Sequence, residues 1–248
     1  MLKLKSNYLA LFLALFLPAT LALGEDDFLS EEELFEEDLG ERIEVKDPLE
    51  PVNRVIFKFN DFVYAKVGRP VANAYDYILP DSAQKGASNF FHNLKYPVRL
   101  VGNVLQGKGK GAFVETGRFA VNTTVGIFGV LDLASDVEGL EKPPTEDIGQ
   151  VLGAWGVSEG PYLVIPFLGP SNLRDLTGYV GDRCVNPLQE PFTVLDDWEW
   201  RLAYSVGDTV VALPELLDTY DQMKGSAIDP YSSLKNGYTQ YRQAEIEK

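Results

Sequence analysis

The stretch DPLEPVNRVIFKFNDFV, residues 47–63, opens with Asp47, Pro48 and Glu50 in the order that starts a helix. The carboxylate of Asp47 is placed to cap, Pro48 sits where its missing N–H costs nothing, and Glu50 follows at the third position. Behind this start Val52, Val55, Ile56, Phe59, Phe62 and Val63 recur at three-and-four spacing, while Asn53, Arg54, Lys58 and Asp61 fall elsewhere around the helix. The spacing predicts an amphipathic helix with a bulky apolar face. Such a face either packs into a core or meets lipid, and periodicity alone does not separate the two.

The same grammar repeats downstream. Gly68 and Pro70 punctuate the first helix, and Val71, Ala74, Tyr75 and Ile78 predict a short successor stopped by Pro80. Asp81 or Ser82 caps the next, which carries Ala87, Phe90, Phe91 and Leu94 before Pro97; Val98, Val101, Val104 and Leu105 continue the pattern. Gly107-Lys108-Gly109-Lys110-Gly111 lacks the spacing of a phosphate-binding loop and reads as a helix connection. Helical periodicity returns over 112–123 through Phe113, Phe119 and Ala120. The glycine-spaced apolar run from Val125 to Leu131 then suits a tight turn or a partly lipid-facing loop. Proline, glycine and aromatics crowd Pro143 to Pro170 and argue against a regular helix there; Leu163 to Leu168 reads as a short strand or a rigid loop. Helices resume at Asn172, with Asp175 near the start, over Trp198 to Leu213, and from Asp229-Pro230 with Tyr231, Leu234, Tyr238 and Tyr241 along one side. The fold class predicted is all-α, one domain of many short amphipathic helices.

At the amino end Lys3 and Lys5 precede an apolar run from Tyr8 to Leu17 broken by Pro18, and Ala22 and Gly24 stand where a small-residue cleavage site lies. Residues 1–24 are expected to be a secretory signal peptide, with the mature chain starting near Glu25. A retained anchor is the competing reading, since the run approaches the about 20 residues of a span only when counted to Leu23. No later stretch reaches about 18 uninterrupted apolar residues, so membrane contact by the rest is expected to be lateral.

The net charge is -15, but residues 25–50 hold 13 acidic residues against Arg42 and Lys46, which leaves the body from Pro51 onward only mildly acidic. Residues 25–46 are expected to be a solvated acidic linker. Nucleic acid, which needs a basic face, is excluded as a partner. A single cysteine, Cys184, rules out an internal disulfide framework and a multi-thiolate metal site, and neither it nor the only histidine, His92, sits in a nucleophile motif.

Five strings, DPLEPVNRVIFKFN (47–60), SNFFHNL (88–94), GRFAVNTTVGIFG (117–129), EDIGQVLGAWGVSEGPYLVIPFLGPSNLRD (146–175) and DPY (229–231), occur in one order with compatible gaps. Together they resemble the MlaA (VacJ) family from about Asp47 to Tyr231. The resemblance implies an all-helical ring around an amphipathic central channel, monotopic in the inner leaflet of the outer membrane. It implies transport of phospholipid misplaced in the outer leaflet to a soluble periplasmic carrier, beside a trimeric porin, with no cofactor and no metal. Family members commonly carry a cysteine directly after the signal peptide. Here Glu25 follows Gly24, so a lipid anchor is not expected from the sequence as it stands.

The residues singled out in these strings are Asp47, Pro48, Glu50, Asn53, Arg54, Asn89, Phe90, Asn93, Leu94, Phe119, Asn122, Thr123, Gly160, Pro161, Tyr162 and Asp175. Capping and inter-helix hydrogen bonds account for the asparagines as well as any ligand does. Arg118 and Arg174 are candidates to bind a lipid phosphate; a structural ion pair, for instance Arg174 with Asp175, competes with that reading. Trp155, Tyr162, Trp198 and Trp200 are candidate anchors at the headgroup boundary, in a chain of 12% aromatic content. Two alternatives stand beside transport: a soluble periplasmic carrier or scaffold, and an envelope hydrolase using Asp147, His92 and Ser171. The hydrolase lacks a G-x-S-x-G elbow or a carboxylate pair.

Overall fold

The computed structural model describes residues 45–225 and 227–248, so the signal peptide and almost all of the acidic linker lie outside the described residues. The first helix, α1 (Glu50–Val63), passes through a π-helical turn (Tyr64–Gly68) straight into α2 (Arg69–Ile78). Gly68 and Pro70 therefore do not break the chain: Pro70 falls in the first turn of α2, where its missing N–H is tolerated. Next come α3 (Asp81–Leu94), α4 (Tyr96–Leu105) and α5 (Gly109–Thr124), separated at Lys95 and at Gly107, which takes a φ of 72°. A 3-10 turn, Leu133–Asp136, leads toward α6 (Ile148–Ala154). Strands β1 (Tyr162–Ile165) and β2 (Gly169–Asn172) form an antiparallel hairpin with Tyr162 opposite Asn172, followed by α7 (Leu173–Val185), α8 (Trp198–Gly225) and α9 (Pro230–Glu247).

Several starts differ from their sequence reading. Asp47 does not cap α1, whose first turn begins three residues later. Its Oδ1 instead accepts from the Leu49 N–H (3.2 Å) and Asn53 Nδ2 (2.9 Å), and its Oδ2 accepts from the Tyr231 hydroxyl. Neither Asp81 nor Ser82 caps α3, since Pro80 occupies that position. The Pro- and Gly-rich region does contain a helix, α6, because Asp147 and Gln150 close a reciprocal capping box around its first turn. The hairpin adds a strand pair to an otherwise helical chain, and α8 extends beyond Leu213 through Pro214 to Gly225.

The apolar core is modest and gathers mainly in two clusters. Tyr64, Ala72, Leu213, Leu217, Tyr220 and Leu234 cluster where α2, α8 and α9 meet. Tyr162, Val164, Tyr231 and Tyr238 form a second cluster between the hairpin and α9. The tyrosine side predicted for α9 is thus a core face.

Candidate functional site

The helices wear their polarity inside out. On α1 the buried residues are Asn53 and Asn60, while Val52, Val55, Phe59 and Phe62 are exposed. On α4 Arg99 and Asn103 are buried while Val104 and Leu105 are exposed; on α5 Glu115, Arg118 and Asn122 are buried while Phe113 is 75% exposed. Among the described residues 20 buried side chains are polar or charged against 16 apolar ones, and 27 large apolar side chains are exposed. Scattered exposed apolar residues are ordinary, but a helical face such as that of α1 turned outward over buried amides is not.

The arginines buried in that interior are each paired with a carboxylate, as burial demands. Arg99 Nε donates to Glu115 Oε2 at 3.0 Å across α4 and α5, and its Nη1 reaches the His92 carbonyl. Arg118 Nη2 spans both carboxylate oxygens of Asp132 at 2.9 and 2.7 Å, and its Nη1 donates to the Leu140 carbonyl. Arg174 Nε donates to Asp175 Oδ1 at 2.9 Å. Both candidate phosphate ligands are thus held in ion pairs, 4% and 7% exposed, and a lipid phosphate would have to displace a carboxylate to reach either.

The remaining motif residues are structural hinges of the same network. Asn53 Nδ2 donates to the Tyr162 carbonyl and its Oδ1 accepts from the Val164 N–H. Seven residues on, Asn60 repeats the pattern with the Ile165 carbonyl and the Phe167 N–H. Two side-chain amides of α1 thereby pair the free edge of β1. Arg54 bridges Glu50 (2.7 Å) and Asp229 (2.6 Å), stacked over the Tyr231 ring, which ties α1 to the start of α9. Asn93 donates to Thr123 Oγ1, Asn89 to the Val130 carbonyl and Asn122 to Asp132, so three asparagines fix the turn at 125–131. In that turn Ile127 and Phe128 adopt left-handed backbones (φ 55° and 57°), unusual for bulky residues, and project outward, 62% and 70% exposed. Phe119 stacks on Tyr96 at 4.3 Å, Phe90 packs edge-on to Phe91, and Leu94 closes α3 partly buried. Gly160 takes a φ of 71° ahead of Pro161 and lets the chain turn into β1.

Tyr162 is 2% exposed beneath the hairpin and is no interfacial anchor, because its ring completes the cluster with Tyr231 and Tyr238. Trp155, Trp198 and Trp200 are 59%, 52% and 65% exposed. The hydrolase candidates are not assembled. Among the described residues, Asp147 caps α6 and holds Arg242, Ser171 donates to the Asn172 carbonyl, and the enclosed Nε2 of His92 has no hydrogen-bond partner.

A charged cavity of about 100 Å³ opens between α4, α6, α7, α8 and α9. On its wall Arg242 grips Asp147 through Nη1 and Nη2 (2.7 and 3.0 Å) and Asp175 through Nε (3.1 Å). Burial alone would raise Asp175, but the guanidinium of Arg242, helped by Arg174, holds it at about 2. Opposite, Lys95 pairs with Asp208 at 2.8 Å. Asp182 accepts the Ile148 N–H; burial, and then the neighbouring Asp147, push its carboxyl well above the usual range. The sequence reading named Asp147, Arg174 and Asp175 among these, but not Lys95, Asp182, Asp208 or Arg242. A signal was present for Arg242 and Glu245, which lie 11 and 14 positions after Tyr231, on the tyrosine stripe itself; a charge on a core stripe marks a buried pair. Nothing local marks Lys95, Asp182 or Asp208, whose meeting is tertiary.

The MlaA lipoprotein family matches residues 45–245 of the chain. An uncharacterized protein of Rickettsia prowazekii is 33% identical over 207 residues, covering 83% of this chain and 80% of that protein. The intermembrane phospholipid transport system lipoprotein MlaA of Haemophilus influenzae is 31% identical over 204 residues (82% and 80%). Its Escherichia coli K12 counterpart is 33% identical over 196 residues (78% and 76%). A solved structure described as the structural basis for maintenance of bacterial outer membrane lipid asymmetry superposes with a TM-score of 0.69 at 29% identity, covering 81% of this chain and 99% of that one.

Proposed function

The chain belongs to the MlaA family, and from that premise we propose that it works in intermembrane phospholipid transport, maintaining the lipid asymmetry of the outer membrane. The observation that carries this reading is the inverted polarity: Val52, Val55, Phe59 and Phe62 of α1, Val104 and Leu105 of α4 and Phe113 of α5 lie outward, while Asn53, Arg99, Glu115, Arg118 and Asn122 lie inward. An interior of paired charges and hydrogen-bonded amides beneath exposed apolar side chains suits a protein lying among acyl chains while offering a charged headgroup a polar path. Among the described residues no helix is long and apolar enough to cross a membrane, which fits a body resting in one leaflet. The finer reading follows from the family. The helices ring a channel in the inner leaflet, phospholipid removed from the outer leaflet passes through it to a soluble periplasmic carrier, and a trimeric porin seats the ring. Residues 1–24 serve as export leader, residues 25–46 as an acidic tether and residues 47–248 as the working unit. No catalytic step is assigned to it.

The test is complementation. In a Gram-negative strain lacking its own family member, this chain is expected to lower the amount of surface phospholipid accessible to added phospholipase and to restore resistance to detergent with chelator. A chain that fractionates with outer membranes and leaves surface phospholipid unchanged would refute the reading.

A further inference from the structure

Tyr179 and Arg183 both line the charged cavity and stand one turn apart on α7. Arg183 Nη1 donates to the Tyr179 hydroxyl at 3.0 Å, with the guanidinium 5.8 Å from that ring. Among the described residues Arg183 has no carboxylate partner, whereas Arg54, Arg69, Arg99, Arg118, Arg174, Arg201 and Arg242 each have one. The Tyr179 oxygen is the acceptor in its bond with Arg183, so its own proton remains to be donated, and among the described residues it meets no acceptor. The remaining N–H groups of Arg183 and the hydroxyl proton of Tyr179 therefore face the cavity without a protein acceptor. The acids around them are engaged elsewhere. Asp208 pairs with Lys95 at 2.8 Å, and Arg242 and Arg174 together answer Asp147 and Asp175. Asp182 accepts the Ile148 N–H at 2.9 Å from the α6 side.

We propose that Arg183 and Tyr179 form a phosphate-binding subsite of this cavity, which takes the phosphodiester of a lipid head. The inference rests on the transport reading above, which supplies the phosphate. A guanidinium presents its N–H groups in a planar fork that fits two phosphate oxygens at once. A phosphodiester carries two unesterified oxygens: Arg183 spans them, and the Tyr179 hydroxyl adds a further donor to one. Arg118 and Arg174 would have to give up a carboxylate to bind the same group, and Arg183 gives up none. A cavity of about 100 Å³ holds such a group and leaves the acyl chains outside.

The test titrates purified, delipidated protein in detergent with dihexanoyl phosphatidylglycerol, whose only charge is its phosphate, and with dihexanoylglycerol, which has none; bound ligand is read by native mass spectrometry. The wild-type chain is expected to bind the first and not the second. Arg183→Gln is expected to weaken binding about tenfold and Tyr179→Phe about threefold, the loss of a charge-assisted and of a neutral hydrogen bond. Both are expected to leave the thermal transition in place, since they break one hydrogen bond and no ion pair. Arg201→Gln makes the same change of charge at a surface pair with Glu190 and is expected to bind as wild type. Asp182→Asn removes the one lining acid that is outside an ion pair among the described residues, and is expected to bind as tightly as wild type or tighter. Affinity unmoved by Arg183→Gln, lowered equally by Arg201→Gln, or lowered by Asp182→Asn overturns the subsite, and so does dihexanoylglycerol binding as tightly as the phospholipid. Inorganic phosphate that displaces the lipid at equal concentration assigns the subsite to free phosphate and overturns the lipid source. A wild-type chain that binds no phosphatidylglycerol yet lowers surface phospholipid in the complemented strain overturns the subsite and leaves the transport reading standing; failure in both assays overturns both.

Discussion

Replacing Asn53 with alanine removes the donor to the Tyr162 carbonyl at 3.0 Å and the acceptor of the Val164 N–H at 2.9 Å in one step. Asn53 is 2% exposed and both backbone groups lie on the inner edge of β1, so water does not replace the lost partners. Each stranded backbone group costs about 1–3 kcal/mol, which puts the pair near 3 kcal/mol once the edge relaxes. The loss of the Asp47 contact adds little, because Asp47 keeps the Leu49 N–H and the Tyr231 hydroxyl. For a unit of this size about 3 kcal/mol corresponds to a fall in Tm of roughly 6–12 °C. Asn53→Asp is a sharper probe: it preserves an acceptor for Val164 but sets a carboxylate oxygen against the Tyr162 carbonyl and beside Asp47, so it is expected to be at least as destabilising as alanine. Thermal unfolding in detergent gives the magnitude. Hydrogen exchange of the amides over residues 162–172 gives the place, and protection there is expected to drop in both variants. A Tm within about 2 °C of wild type, less than one kcal/mol, with unchanged exchange of the hairpin, would refute the view that α1 supplies the missing edge of β1.

Gly178 faces Gly149 so closely that an added Cβ would lie 2.3 Å from the Gly149 nitrogen; Gly178→Ala is expected to push α7 off α6 and cost about 2–3 kcal/mol in urea unfolding, with no loss if the contact is not native. Asp175→Ala strands Arg174 and leaves Arg242 with Asp147 alone, and is expected to cost about 3–5 kcal/mol, read as loss of the folded protein on expression or a much lower Tm. The carboxyl of Asp175 is held at about 2 against an unfolded value near 3.9, so its contribution is complete above pH about 4 and is lost as pH falls toward 2; an acid titration should steepen in that window and flatten in Asp175→Asn. Asp182 has the opposite sign. Its folded value is raised, so its ionisation costs stability as pH climbs above about 4, and Asp182→Asn, which keeps the acceptor for Ile148, should unfold at the same or higher temperature than wild type at pH 7. His92 is pushed down by burial and then by Arg99, Lys95 and Arg118, so stability should decline as pH drops below about 6.5, and His92→Gln should remove that part of the slope.

The helices were legible because proline and glycine mark their ends and three-and-four spacing marks their faces; the break at Lys95 and the turn at Gly107 fall where residues 94–97 and 107–111 place them. The direction of the faces was not legible. Val55 and Phe59 on α1 carry the same periodic signal whether they meet core or lipid, and only the partners of Asn53 and Asn60 decide which. The hairpin was half legible. Leu163 to Leu168 reads as strand or loop until Asn53 and Asn60, more than a hundred residues earlier, are seen to pair its edge. Arg118 and Arg174 had two readings in the sequence, phosphate ligand or ion pair; in the structure each is paired with a carboxylate, one of them the next residue and one fourteen residues on. The cavity was invisible for the reason that its charges come from α7, α8 and α9 and from Lys95 and Asp147 just ahead of α4 and α6, and no local string contains two opposing walls.

Asp175 shows why those walls and the hairpin are one mechanical unit. Its carboxylate accepts from Arg174, Arg242, the Tyr238 hydroxyl and the Asn172 amide, and Asn172 is both the last residue of β2 and the cap of α7. Arg242 carries the link on to Asp147, whose other task is to cap α6 through Gln150. The hairpin, the start of α7, the start of α6 and the cavity wall therefore hang on one guanidinium of α9. Ion pairs of this kind are costly to break singly, because the partner left behind is a buried, uncompensated charge. An Arg242→Lys variant, able to satisfy one carboxylate but not two in a bidentate grip, should therefore fold with a lower Tm and show raised hydrogen exchange at both α6 and the hairpin together. Exchange rising at only one of them would separate the two and break the argument.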